Sequence, residues 1–253
     1  PHLAERVRAS SYRHGGGRAG NVAAKAINKL TRVPDVKIAN VLPARGGEDK
    51  ESIESALERI PGEFRRHDRA VAASDFRELA LMTPGADVGR AEVLPLFHPK
   101  RRDELAPGCV SVVVWPKEDP QRPDAPLPSR SVLSGVCRWL DTRRLVTTEL
   151  YVIPPTYRRI AVSVGIEVKN GYGVEAVSRW VELVLRQYLA PLPPYGPWGG
   201  GWPLGRRVHG PELEAAALQV EGVEFLHALN LAVENDQRLW TPLPAERARI
   251  GLR

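Results

Sequence analysis

The chain has 253 residues, of which 43% are hydrophobic and 26% charged, enough apolar material for the core of one large domain or two small ones. No apolar run approaches the roughly 20 residues of a membrane span, and Pro1–Arg6 lacks the apolar core of a signal peptide, so a soluble protein without an export signal is expected. The net charge of +6 is localised. Seven basic residues (Arg6, Arg8, Arg13, Arg18, Lys25, Lys29 and Arg32) stand against Glu5 alone in residues 1–32, which leaves 29 of each sign in the remainder. The basic character therefore belongs to an N-terminal arm, either one that meets an acidic partner or a solvated Arg-rich start.

Within that arm Asn21–Leu30 has helix-forming residues, and Val36, Ile38 and Val41 give Thr31–Leu42 an extended reading. After Gly46-Gly47, Asp49 is a candidate cap for an amphipathic helix carrying Ile53, Ala56, Leu57 and Ile60, with Pro61-Gly62 as its expected end. Ser74 is the candidate cap of a short second helix with Phe76, Leu79 and Ala80 on its apolar side, stopped by Pro84-Gly85.

From residue 90 onward strands and helices alternate. Ala91–Phe97 and Val110–Trp115 read as strands, followed by a helix capped by Ser129 whose Val132, Leu133, Val136, Trp139 and Leu140 form one stripe. Leu150–Ile153 is a third strand. Ile160, Val162, Val164, Ile166 and Val168 then alternate with small or polar residues, the period of a half-buried strand. A helix follows from Val174, with Val177, Trp180, Val181, Val184, Leu185, Tyr188 and Leu189 at helical spacing. Pro211 opens a short helix through Val220, and Val223–Val233 reads as a last strand. This order predicts an α+β fold, an α/β sandwich with a ferredoxin-like sheet-and-helix layer, an extended or helical N-terminal arm and a small C-terminal α/β element.

Two proline-rich connections interrupt the body. Residues 116–128 read as a stiff exposed loop. Gly196–Arg206 is different, because its glycines and prolines forbid regular structure while Trp198 and Trp202 offer large apolar surfaces. Such a segment packs against a ligand, the rest of its own chain or another protein.

Catalytic signatures fail on context. Gly15–Gly20 spells the dinucleotide fingerprint, but the preceding Ser10–His14 is polar where a hydrophobic strand is required. His14–Gly17 matches an esterase oxyanion loop, yet no GxSxG nucleophile elbow occurs. Asp141 and Glu149 are carboxylates with no spacing that favours acid/base work over solvation. Cys109 and Cys137 sit in apolar surroundings and read as small buried hydrophobes of a reducing compartment. With no CxxC or HExxH spacing, no metal and no cofactor is expected. Tyr12 and His14 interleaved with Arg8, Arg13 and Arg18 leave a nucleic-acid-binding arm as the alternative function.

Five segments together carry a resemblance: Tyr12–Val22, Pro43–Ser52, Arg69–Phe76, Leu140–Leu145 and Gly201–Arg206. In this order they resemble the baseplate J-like family, wedge components of contractile phage tails and related injection particles. Members of that family are usually longer at the N-terminus, and a chain that begins at Pro1 is compatible with a segment of a longer protein. Residues 100–105, 116–128 and 234–253 do not fit the family pattern. The resemblance implies a non-enzymatic structural protein that links a central hub to the sheath through protein–protein contacts. The implied partners are other wedge subunits, copies of itself in a six-fold assembly, and hub, spike and sheath-side proteins, with no nucleic acid and no membrane insertion. It implies assembly in the bacterial cytoplasm into a phage tail or injection particle.

Under this reading residues 1–70 form a basic arm and helix for an inter-subunit bundle, 71–191 an α/β body, and 192–253 a Trp/Gly joint with a C-terminal helix–strand element. Aromatic and Arg side chains are the usual interface anchors. The candidate interface residues are Tyr12, Arg13, Arg18, Arg69, Arg143, Arg144, Trp198, Trp202 and Arg206.

Overall fold

The computed structural model describes residues 16–29, 36–44, 46–102, 104–234 and 239–243. The candidate residues Tyr12 and Arg13 lie outside them. The chain divides into two compact units, Pro1–His67 and Asp68–Arg253.

In the first unit a 3₁₀ turn at Gly17–Gly20 leads into extended chain, and the described part of Asn21–Leu30 is not helical. Asparagine side chains explain the difference, since they bind backbone in competition with a helix. Asn21 exchanges two 2.8 Å bonds with the N–H and C=O of Gly47. Asn40 accepts from the Ile27 N–H (2.9 Å) and donates to the carbonyls of Ala23 and Leu42 (both 2.9 Å). Lys25 N–H to Asn40 O (2.8 Å) and Ala44 N–H to Val22 O (2.9 Å) complete this pairing of residues 21–27 with 40–47.

Helix α1 (Ile53–Arg66) is capped by Ser52, whose hydroxyl accepts from Ser55 N–H at 3.2 Å. Asp49 instead accepts the Arg18 N–H at 3.0 Å. The helix runs through Pro61 and stops at His67, a left-handed C-cap (φ 48°). Arg59 bridges Glu51 and Glu63, tying the preceding segment to the turn that contains Pro61 and holding the Glu51 carboxyl below the usual carboxylate range.

The second unit carries the remaining elements. Helix α2 (Ala73–Leu81) is closed at its start by Asp75, which accepts from the N–H groups of Val71 (3.1 Å) and Ala72 (2.7 Å), so the cap lies two residues before Ser74. Strands β1 (Val88–Pro95) and β2 (Cys109–Pro116) form an antiparallel pair. Helix α3 (Arg130–Asp141), capped by Ser129, crosses over to β3 (Glu149–Ile153), parallel to β2. Phe76, Leu79, Val112, Val114, Val136 and Leu140 form the core of this half. Strand β2 is central and buried on both faces.

Strand β4 (Ile160–Val168), helices α4 (Val174–Leu189) and α5 (Gly210–Leu218), and strands β5 (Val223–Glu234) and β6 (Trp240–Leu243) form the other half. Its sheet has order β4-β5-β6, antiparallel throughout. Val177, Val181 and Leu185 of α4 and Leu213, Ala216 and Ala217 of α5 pack with the inward side chains of β4 and β5. Trp180, expected in the buried stripe of α4, is 60% exposed, because the stripe follows the narrower Val177–Val181–Leu185 row.

The fold is α+β. The strands expected in one ferredoxin-like layer are divided between two three-stranded sheets, β1-β2-β3 and β4-β5-β6. Pro154-Pro155 follows β3 directly, and with fixed φ and no N–H these residues end its ladder before β4 begins. Leu140 is fully buried where α3 meets the first sheet. Leu140→Ala is expected to lower stability by about 2–5 kcal/mol through lost transfer energy and a residual cavity, measured as a lower denaturant midpoint at unchanged slope.

Candidate interface site

The segment between α4 and α5 folds back on itself. Gly201 N–H donates to Tyr195 O (2.7 Å), Trp202 N–H to Ala190 O (2.7 Å) and Gly196 N–H to Gln187 O (3.0 Å). Gly201 has φ +81°, and a Cβ there would collide with the Pro191 carbonyl and lie 2.7 Å from Arg90 Nη1. Glycine at 201 is therefore required both by conformation and by close approach.

That approach brings two carbonyls to Arg90 of β1. Arg90 Nη1 donates to Pro191 O at 2.7 Å and to Trp202 O at 2.8 Å, while Nη2 and Nε bond Glu92 Oε1 at 3.0 and 3.3 Å. The guanidinium lies 4.8 Å from the ring centre of Trp115, its cross-strand partner on β2, and Arg90 is only 7% exposed. The loop is thus bound to the first sheet by charge-assisted hydrogen bonds in a region sheltered from water. Nearby, Arg186 of α4 pairs with Asp124 at 3.2 Å, and the Tyr157 hydroxyl donates to Pro126 O at 2.8 Å. Burial pushes the Tyr157 hydroxyl well above its usual range. Asp119 folds the proline loop inward by accepting from Gln121 N–H (3.0 Å) and Leu127 N–H (3.2 Å), and Pro126 is fully buried.

Beyond the joint, Arg206 stands between two indoles, 4.6 Å from the centre of Trp198 and 5.0 Å from that of Trp202. Its Nη2 donates to Glu212 at 2.8 Å, and the Tyr188 hydroxyl also donates to Glu212, at 3.3 Å. Trp202 Nε1–H donates to Arg206 O at 3.3 Å, and its ring meets Tyr188 edge-on at 5.9 Å. Burial, reinforced by the Glu212 charge, raises the Tyr188 hydroxyl pKa. Trp202 is packed into the second core, whereas Trp198 is 74% exposed.

Arg143 and Arg144 serve the connection from α3 to β3. Arg143 stacks 3.4 Å from the centre of Trp139 and bonds Asp68 at 2.8 Å. Arg144 bonds Asp141 at 2.7 Å and the Thr148 carbonyl at 2.6 Å. Arg143 O accepts the Ala70 N–H at 2.9 Å, so the connection anchors the strand of chain that enters the unit. Arg69 and Arg18 are exposed. Of the candidates, Trp198, Trp202 and Arg206 come together, Arg143 and Arg144 form a separate pair, and Arg18 lies in the first unit.

One polar chain lies elsewhere. His98 Nδ1 accepts the Lys100 N–H at 3.0 Å and Nε2 lies 3.0 Å from the Tyr151 hydroxyl, which donates to Glu149. Cys109 Sγ lies 3.2 Å from the other Glu149 oxygen. The bond from Tyr151 lowers the pKa of Glu149, and the bond to Glu149 raises that of Cys109, which disfavours its thiolate. Asp141 and Glu149 are thus engaged by different partners, Arg144 and Tyr151. Among the described residues no group of three His, Cys, Asp or Glu could hold a metal ion, and no helix is long and apolar enough to cross a membrane.

Sequence reasoning missed Arg90, Trp115, Asp119 and Tyr157. A signal was present for the first: Arg90 and Glu92 stand at i and i+2, on one face of a strand.

No family model and no curated protein matches the chain. Among solved structures the chain is similar to one from the anti-feeding prophage baseplate, 6-fold symmetrised, with a TM-score of 0.55 at 19% identity. The match covers 81% of this chain and 43% of that one, so this chain spans less than half the length of its structural neighbour. The likeness is one of fold.

Arg90→Met would leave the Pro191 and Trp202 carbonyls without their donor. It is expected to cost about 3 kcal/mol and to speed amide exchange at Gly201 and Trp202. The half-exposed Arg77→Met is expected to change stability by less than about 0.5 kcal/mol in the same chemical denaturation assay.

Proposed function

We propose that this protein is a non-catalytic structural component of the baseplate of a contractile tail or contractile injection system, one of the wedge subunits between hub and sheath. The observation that carries the reading is the state of the first unit. Among its described residues no apolar side chain is buried, and Ile27, Val36, Val41, Leu42, Ile53, Leu57, Ile60 and Phe64 are 40–82% exposed. On α1, Ile53, Leu57, Ile60 and Phe64 lie at i, i+4, i+7 and i+11, a continuous stripe on one face. A segment that is internally hydrogen-bonded but buries no apolar core of its own suits a subunit whose core is completed by neighbours. The fold likeness to the anti-feeding prophage baseplate chain supports the same reading.

On this reading residues 1–70 supply the inter-subunit bundle, 71–191 the α/β body and 192–253 the joint and terminal helix–strand element. The partners are other wedge subunits, further copies of this chain in a six-fold arrangement, and hub-side and sheath-side proteins, assembled in the bacterial cytoplasm. Tyr12, Arg13, Arg18, Arg69, Arg143, Arg144, Trp198, Trp202 and Arg206 are the contact candidates. Exposed Trp198 is the strongest of those described, because its outer surface has no covering while its inner surface is fixed by Arg206.

The second unit contains two cores of its own, so removing residues 1–67 is expected to leave a cooperatively unfolding protein that no longer enters the particle. The readout is thermal unfolding of the truncated chain beside its recovery with particles purified from cells that make all other components. Normal incorporation would sink the proposal, and arm-dependent, salt-sensitive DNA binding would favour the nucleic-acid alternative.

A further inference from the structure

Sheet edges are normally guarded by short strands, prolines or charges, because an open edge is a template for further pairing. Among the edge strands β3 is five residues long and runs into Pro154-Pro155, β6 is four residues long with Pro242, and β1 carries Arg90 and Glu92 mid-strand. Strand β4 is nine residues, Ile160-Ala-Val-Ser-Val-Gly-Ile-Glu-Val168, without proline and uncharged until Glu167. It pairs with β5 on one side, and among the described residues nothing hydrogen-bonds its other edge. Its apolar side chains at even positions are half-buried, as they would be in a sheet one strand short.

Backbone polarity fixes which groups are available. Arg159 O accepts the Glu234 N–H, and Lys169 N–H donates to Gly222 O, so odd-numbered residues turn their backbone groups to β5. Alternation aims the N–H and C=O of Ile160, Val162, Val164 and Ile166 at the free edge. Both irregularities in the β4–β5 pairing insert the extra residue in β5, which leaves β4 regular.

We propose that this edge docks a second copy of the chain through antiparallel β4–β4 pairing about a two-fold axis at Ser163. In that register Val162 opposes Val164 and Ile160 opposes Ile166, the residues whose backbone groups face outward, so each pair exchanges both its hydrogen bonds. On the other face Ser163 meets itself, Ala161 meets Gly165, and Arg159 meets Glu167 at both ends. Moving the axis to Val164 would set Arg159 against Lys169, and moving it to Val162 would set Arg158 against Ile166, so charge and polarity select Ser163. The two charges are exposed and their present pairs are long, Glu167 to His227 at 3.4 Å and Arg159 to the half-buried Glu234 at 3.8 Å, so each pair holds its charge weakly. A two-fold contact of this kind is isologous and closes at two copies. It stands independently of the baseplate reading.

The test is sedimentation equilibrium of the full chain at low ionic strength, with Arg159→Glu and Glu167→Arg alone and mixed. The chain is expected to dimerise, and each single reversal to raise the dissociation constant by about tenfold, since each puts like charges at both ends. An equimolar mixture of the two variants restores both attractive pairs and is expected to recover association as a heterodimer. Val162→Pro, which deletes an edge N–H and leaves the β5 ladder intact, is expected to abolish it. A chain monomeric at all concentrations, reversals without effect, or a mixture that fails to recover would overturn the proposal.

Discussion

The second unit depends on a buried guanidinium. Its two sheets have separate cores, and three polar contacts tie the elements around them together: Arg90 to the Pro191 and Trp202 carbonyls, Arg186 to Asp124, and Tyr157 to Pro126. They differ in weight. Arg186 and Asp124 are 58% and 76% exposed, so water and salt screen most of their attraction. The Tyr157 bond is neutral. Arg90 is 7% exposed, bonds two carbonyls and a carboxylate, and lies against Trp115, so its removal strands two acceptors in a region largely sheltered from water.

Satisfying that charge dictates the shape of the Gly/Trp segment. The two accepting carbonyls lie eleven positions apart in sequence and must converge on one nitrogen, Nη1. Convergence brings the backbone of Gly201 onto Pro191, a space no side chain fits, and the positive φ of Gly196 and Gly201 closes the turn. Once Trp202 is held by its carbonyl, its ring is fixed against Tyr188, and Arg206 is trapped between Trp202 and Trp198. The segment is closed by its own backbone bonds, and Tyr195 and Trp198 are its exposed aromatic side chains.

Much of this was legible in the chain. The periods of α3, α4 and β4 appear in the structure at their expected places, because each is a single amphipathic element whose pattern is set by one core. Errors arose where the deciding partner is remote in sequence. Asn21 and Asn40 undo a locally plausible helix through bonds to Gly47, Ala23 and Leu42, and helical propensity is blind to them. Pro61 looked like a terminator, yet α1 continues through it to a left-handed cap at His67. Strand β6 escaped notice because four residues around Pro242 have no period; they pair with β5 only after the chain returns. At the candidate site the two tryptophans and Arg206 were visible from composition. For Arg90 the chain offered only its i, i+2 spacing with Glu92, and the rest of its role depends on carbonyls a hundred residues away that arrive at it.

The exposed surfaces of the two units ask for different chemistry. The α1 stripe of Ile53, Leu57, Ile60 and Phe64 has its backbone bonds satisfied within the helix, so what it lacks is apolar contact, and a groove or another helix supplies that without a fixed register. Among the described residues the outer edge of β4 has no hydrogen-bond partners, and an extended strand in one register supplies those while keeping Ile160, Val162, Val164 and Ile166 on the core side. A stripe tolerates sliding by a helical turn; an edge does not, because a one-residue slip turns the docking strand's side chains to the opposite face. The two surfaces therefore differ in what they offer, apolar area on the first unit and outward-facing backbone groups on the second.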